Sequence, residues 1–249
     1  MIQSVERAVK LLRLVADCGT GVRLCELARG SGLNRNTVYN LAETLVHEGL
    51  LGKTSDSLYI VGDAMNELVG KAAGRLVKAE GVLRQLHLKH AAAYIYYSEL
   101  GASDVIVRFH YLPGRPGVAI YPDMMTLPPY LTVGGLVFLA FALDERLVAL
   151  RMKAPFDYHG LQAWKSEGEF MKALGAARKK GYTETPWMVP ETELKVGIPV
   201  WDKSGMVAAA MTFDIKDFPE ARRGKALADA MKASAEINRV AYGATKEIR

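Results

Sequence analysis

Cysteine is scarce in this chain. Its 249 residues include only Cys18 and Cys25, too few for a disulfide framework or a four-ligand zinc site. Both fall in apolar helical patterns, as expected of reduced packing residues. The histidines, His47, His87, His90, His110 and His159, are scattered. His87 and His90 stand three apart on a predicted helix, but no third ligand accompanies them, so no metal or other cofactor is expected. Gly-x-Ser-x-Gly elbows, Walker loops and dinucleotide fingerprints are missing, and no catalytic residues are assigned. Long hydrophobic runs are missing too. The most apolar stretch, Leu131 to Leu143, is too short to span a bilayer. Residues Met1 to Arg7 show no signal-peptide core ahead of their charged helical pattern. The expectation is a soluble, cytoplasmic protein that is not an enzyme and does not engage a membrane.

What is present fits two globular domains. The chain is 50% hydrophobic and 24% charged, an ordinary folded composition. Its net charge of +5 suits a polyanion partner. Residues 1–62 nevertheless carry seven Lys and Arg against six acids, so the excess is not concentrated there. Charge alone decides nothing.

The order of elements near the start is more informative. Val5, Val9, Leu12 and Val15, with Ala8 and Leu11 beside them, recur at helical spacing, and Gly19-Thr20-Gly21 closes that helix. A short helix follows from about Arg23, with Leu24, Leu27 and Ala28 inward, then a tight turn at Ser31-Gly32-Leu33. Asn34 suits the N-cap of a third helix. Val38, Leu41, Ala42, Leu45 and Val46 form its buried stripe, while Arg35, Asn36, Tyr39, Asn40, Glu43 and His47 form a polar face. This is a helix-turn-helix pattern, whose second helix enters the major groove of double-stranded DNA and presents mainly its N-terminal residues. Arg35, Asn36, Thr37, Tyr39 and Asn40 are therefore candidate DNA contacts. Arg pairs with guanine and Asn with adenine, while Thr and Tyr more often hold phosphate. Two short strands around Thr54 to Ser57 make a wing, and Lys53 is placed to reach a phosphate.

These residues resemble the N-terminal domain of IclR-type transcription regulators. The resemblance rests on Gln3-Ser4-Val5-x-Arg7-Ala8, Leu24-x-Glu26-Leu27-Ala28, Gly32-Leu33-x-x-Asn36-Thr37-Val38, Leu41-x-x-Thr44-Leu45 and Tyr59-x-Val61-Gly62. Asn36 and Asn40 stand where the family usually has Ser and Arg. Both departures lie on the reading face, so the operator sequence is not carried over. The expected organisation is a winged helix-turn-helix domain over 1–62, a linker helix over 63–83 and a GAF-like effector-binding domain over 84–249, an α+β chain overall. The linker is expected to be helical because Ala64, Leu68, Ala72, Leu76 and Val77 keep helical spacing.

Beyond Ala91 the periodicity alternates between strand and helix. Strands are predicted over 92–100, 105–111, 194–201 and 206–213, and helices over 133–143, 170–180 and 222–243. The family pattern continues in Leu131-Thr132-Val133-Gly134-Gly135-Leu136-x-x-Leu139-Ala140, in Arg178-x-x-Gly181-Tyr182, and from Val196-Gly197-Ile198-Pro199-Val200 to Ala209. The resemblance implies homodimers, leaves open their pairing into tetramers, and implies a small, anionic, organic-acid effector. Carried over residue by residue, it places that effector against Val133, Gly134, Lys195, Thr212 and Asp214. Gly135 replaces the family's usual Lys, Lys195 its usual small or Cys residue, and Thr185 lies where it often has an acid, so the ligand is expected to differ. Aromatics Tyr94, Tyr96, Tyr97, Phe109, Tyr111, Tyr121, Tyr130 and Trp187 suit either the pocket wall or the core. Two rival readings stay open: a catalytic C-terminal domain, and a sensor that controls a partner protein without touching DNA.

Overall fold

The computed structural model describes residues 2–18, 21–185 and 192–244, with nothing stated for the side chain of Asn66. Contacts divide the chain into two compact units, 1–74 and 75–249.

The first unit contains α1 (Gln3–Cys18), α2 (Leu24–Ser31), α3 (Arg35–His47), β1 (Leu51–Lys53) and β2 (Tyr59–Val61). Leu11, Val15, Leu27, Val38, Ala42, Leu45, Leu51 and Tyr59 make one core. Full burial of side chains such as Leu27 and Val38 contributes about 1.5–3 kcal/mol each. Gly32, at φ +71°, ends α2 in the left-handed region that a non-glycine residue rarely adopts. β1 and β2 pair antiparallel, Leu51 opposite Val61 and Lys53 opposite Tyr59. Two expectations need correction. Val5 and Val9, expected in the buried stripe of α1, are exposed, because the core takes the face bearing Leu11 and Val15. Cys18 and Cys25, expected as packing residues, lie at the surface. The first helix end expected at Gly19-Thr20 lies outside the described residues.

α4 (Asp63–Lys89) runs six residues past the expected linker end. Its apolar positions differ in fate: Leu68, Val69 and Val77 are exposed, whereas Ala79, Leu83 and Leu86 are buried.

The second unit is built on β3 (Ala93–Leu100), β4 (Val105–Tyr111), β5 (Thr126–Leu127), β6 (Leu194–Trp201) and β7 (Val207–Ile215). They form one antiparallel sheet in the order β5-β4-β3-β7-β6. The β6–β7 turn is held by Asp202, whose Oδ1 accepts from the backbone N–H of Ser204 at 2.8 Å and of Met206 at 3.0 Å. Alternation gives the sheet two unlike faces. On one, Ile95, Tyr97, Val196, Ile198, Met211 and Phe213 pack with Ala79 and Leu83 of α4 and with Ala226, Ala230 and Ile237 of α9 (Glu220–Tyr242). The other face is covered by α5 (Val133–Phe141), with α6 (Asp144–Lys153), α7 (Phe156–His159) and α8 (Glu167–Lys180) completing that side. Periodicity alone does not separate α6 and α7 from the loops around them.

Local chemistry explains how α5 and α8 are positioned. Thr132 caps α5, its Oγ1 accepting from Gly135 N–H at 3.1 Å. Ser166 caps α8 through Glu169 N–H at 3.2 Å. Glu167 and Glu169 in the first turn of α8, and Arg178, Lys179 and Lys180 in its last, complement the helix dipole. Arg178 Nε donates to the carbonyl of Ala140 at 2.6 Å, tying the C-terminus of α5 to α8. Among the described residues no helix is long and apolar enough to cross a membrane.

Candidate nucleic-acid interface and ligand-binding face

α3 presents the polar surface anticipated for DNA reading. Asn34 caps it, its Oδ1 accepting from Thr37 N–H at 2.8 Å. Val38, Ala42 and Leu45 point into the core, which fixes the rotation of the helix and turns Arg35, Asn36, Tyr39 and Asn40 to solvent. Thr37 is half-buried beside its cap. Lys53 is not a free cation. Its Nζ lies 2.8 Å from Glu43 Oε1, which also accepts from the Tyr59 hydroxyl at 3.0 Å. The ammonium also sits 5.8 Å from the ring centre of Tyr39 and 5.2 Å from that of Tyr59. This cluster joins the wing to α3. The hydrogen bond and charge of Lys53 hold Glu43 below its ordinary pKa, and Glu43 in turn raises Lys53.

The residues expected to hold an effector lie on the side of the sheet covered by α5. The register sets Gly197, Thr212, Tyr96 and His110 in one row across β6, β7, β3 and β4, and Lys195, Asp214 and Tyr94 in the next. Thr212 and Asp214 are buried, and Lys195, 24% exposed at its side chain, reaches Asp214 Oδ2 at 3.2 Å. Leu194, Val196, Ile198 and Val200 take the opposite face, as the alternation required. The N-terminus of α5 meets this face closely. A Cβ built on Gly134 would lie 2.8 Å from Thr212 Oγ1 and 3.5 Å from Ser98 Oγ. The first amides of a helix have no intrahelical partner. Here Gly135 N–H is taken by Thr132, which leaves Val133 and Gly134 as the amides of that turn without a side-chain cap. The carbonyl of Val133 accepts from the Thr183 hydroxyl at 2.7 Å, and Thr183 pairs by backbone with Gly197.

Several polar atoms on this side are buried without a hydrogen bond: Thr212 Oγ1, His110 Nδ1 and Thr185 Oγ1. Most buried polar groups in folded proteins are satisfied, so these atoms could accept partners from a bound molecule. His110 stacks on Tyr96 with ring centres 5.5 Å apart, and burial lowers its pKa, favouring the neutral imidazole. Glu193, missed by sequence reasoning, is buried. Burial first and the neighbouring Asp214 second push its carboxyl above the usual range. Thr185, noticed in the sequence only for lacking an acid, is itself buried. Below and beside these residues a cavity of about 870 Å³ runs along α8, β6 and the start of α9. Of the residues expected to hold the effector, Lys195 lines this cavity, whereas Val133, Gly134, Thr212 and Asp214 are not on its described wall. Of the aromatics, Tyr97, Phe109 and Tyr111 belong to the opposite core, Tyr94 and Tyr96 share the ligand face, and Trp187 lies outside the described residues. No group of three potential metal ligands occurs among the described residues.

Residues 4–55 match the family model of the IclR helix-turn-helix domain. Over 219 residues, 85% of each chain, the sequence is 25% identical to the HTH-type transcriptional regulator XynR of Escherichia coli K12. Among solved structures, Pseudomonas aeruginosa HmgR superposes with a TM-score of 0.54 at 21% identity, covering 98% of this chain and 100% of that one. An IclR transcriptional regulator from Silicibacter sp. TM1040 gives 0.58 at 18% identity, covering 98% and 97%. These two likenesses extend the shared fold over both units.

Proposed function

We propose that this chain is an IclR-type transcription regulator that binds a pseudopalindromic operator as a homodimer under the control of a small anionic effector. The observation that carries the reading is the exposed face of α3. Arg35, Asn36, Tyr39 and Asn40 lie opposite the buried ridge of Val38, Ala42 and Leu45. Two such helices reach successive major grooves when their half-sites lie about 34–36 Å apart. Thr37 holds register on the phosphates, and Lys53 joins it when DNA competes with Glu43 for its ammonium. Dimerisation is supported by apolar side chains that the single chain leaves exposed, Ile2, Val5 and Val9 on and beside α1 and Leu68, Val69 and Val77 on α4.

The effector is an organic acid seated between the opening amides of α5 at Val133 and Gly134 and the strand residues Lys195, Thr212 and Asp214. Its carboxylate takes the α5 amides and the Lys195 ammonium, and Thr212 supplies a hydroxyl donor. The ligand controls DNA binding through α4 by stabilising one of two states, and it shifts their balance only by its difference in affinity for them. The chain works in the cytoplasm and performs no catalysis. Domain limits follow the same reading: the reader over 1–62, the linker helix from 63, and the effector domain after it.

The test is selection of genomic DNA fragments by the full-length chain at low salt, followed by affinity measurements at two salt concentrations. Enrichment of a few related sequences, with affinity falling steeply as salt rises, is expected. Failure to retain any fragment at low salt overturns the reading.

A further inference from the structure

The cavity of about 870 Å³ is large for a small keto acid and lies near the upper end of the range for organic-ligand sites. Cations outnumber acids on its wall. Of its described lining residues, five are cationic and three acidic. Lys180 is paired with Glu184 at 2.6 Å and Lys195 with Asp214 at 3.2 Å. Arg223, Lys165 and Lys172 line it as well, the two lysines at exposed positions.

Arg223 is the informative one. It lies one turn into α9 and lines the cavity beside Leu227. Its Nε and Nη2 are out of solvent and make no hydrogen bond. A guanidinium with two buried, unbonded nitrogens is a costly arrangement. A carboxylate relieves it with two parallel charge-assisted bonds to the planar fork. The remaining wall chemistry agrees, since Thr185 Oγ1, also buried and unbonded, faces the same cavity as a neutral donor. Lys195 links this cavity to the ligand face, because it lines the one and pairs with Asp214 on the other.

We propose that the effector is a dianionic organic acid whose second anionic group is read by Arg223, the first being held by Lys195 on the same cavity wall. This rests on the effector reading given above and adds the ligand's charge and length. It makes α9 a direct contact of the ligand, and it sets specificity by charge count. A monocarboxylate leaves the Arg223 fork unbonded, whereas a diacid engages both ends of the site.

Calorimetric titration of the full-length chain with matched pairs tests this: glutarate against butyrate, adipate against hexanoate, terephthalate against benzoate. At least one diacid is expected to bind tighter than its partner by on the order of tenfold or more, the usual worth of a charge-assisted pair. Arg223→Met then brings that diacid down to its monoacid's affinity and leaves the monoacid unchanged. Arg223→Lys, which keeps the charge and loses the fork, falls between, and it serves as the readout if the Met variant does not fold. Lys195→Met weakens diacid and monoacid alike. Equal binding of the two classes, or a diacid affinity indifferent to Arg223→Met and Arg223→Lys, overturns the role of Arg223 and leaves the effector site standing. Absence of binding by every acid of both classes overturns the effector reading together with it.

Discussion

Replacing Gly134 by alanine tests the packing on which the proposed effector site depends. The added methyl would stand 2.8 Å from Thr212 Oγ1 and 3.1 Å from Leu127 Cδ1, closer than carbon tolerates, at a fully buried position. β7 is held by strands on both sides, β3 and β6, so strain falls on the Thr212 side chain and on the first turn of α5. Overpacking of this kind costs about 1–3 kcal/mol. The helix propensity of alanine over glycine returns up to about 1 kcal/mol. A net loss of about 1 kcal/mol lowers Tm by roughly 2–4 °C for a chain of this size. The strain also pushes the α5 amides away from Thr212, so affinity for the proposed effector should fall as well. Differential scanning calorimetry and ligand titration read the two effects separately. Thr212→Ala in the same chain removes the clashing oxygen and should restore most of the lost stability. A Gly134→Ala chain as stable as the parent, with unchanged effector affinity, would refute the close approach of α5 to β7.

Three further outcomes follow from the same geometry. Arg35→Ala with Asn36→Ala removes two candidate base contacts from each subunit, and each good bidentate pair is worth about 1–3 kcal/mol of discrimination. Operator binding by gel shift should collapse toward the affinity for random DNA while the Tm holds, because neither residue is buried. Persistence of selective binding would move the reading face elsewhere. Glu43→Gln breaks the ion pair with Lys53 and frees its ammonium for phosphate, so the slope of log affinity against log salt should steepen by about 0.9 for each additional phosphate neutralised. An unchanged slope would make Lys53 a pin for the wing only. The Glu193 carboxyl is held above its ordinary pKa, so the folded chain retains a proton that the unfolded chain has lost. Its contribution to stability therefore falls as pH rises from the usual glutamate range through the folded value. Protonation also removes a negative charge from the cavity wall, so affinity for an anionic effector should rise from neutral to mildly acidic pH and flatten in Glu193→Gln. A parent profile identical to that of Glu193→Gln would exclude the group.

Much of the fold is legible in the sequence, and the reasons differ between elements. The helix-turn-helix reads easily because its signals are local: a capping Asn34, a turn glycine at Gly32, and a 3.6-residue period in α3. β6 likewise follows from strict alternation, with Lys195 singled out by facing away from four apolar neighbours. The apolar stripes of α1 and α4 mislead at Val5, Val9, Leu68 and Val77, because periodicity reports an apolar surface without saying what covers it. Cys18 and Cys25 mislead for the same reason. Glu193, Thr183 and Arg223 carry no local signal. Their positions depend on β6 pairing with Thr183 and on where α9 begins, and both are tertiary facts. Tyr96 and His110 meet only through strand register, which no single strand discloses.

The central claim is that α3 seats on base-pair edges in the major groove. Dimethyl sulfate protection on a selected operator tests it directly, because the reagent methylates guanine N7 in the major groove and adenine N3 in the minor groove. The account predicts protected guanine N7 atoms in two half-sites about one helical turn apart, or a multiple of it, with protection lost in the Arg35→Ala, Asn36→Ala chain. Protection of minor-groove adenines alone, or a pattern identical in that variant, would contradict it.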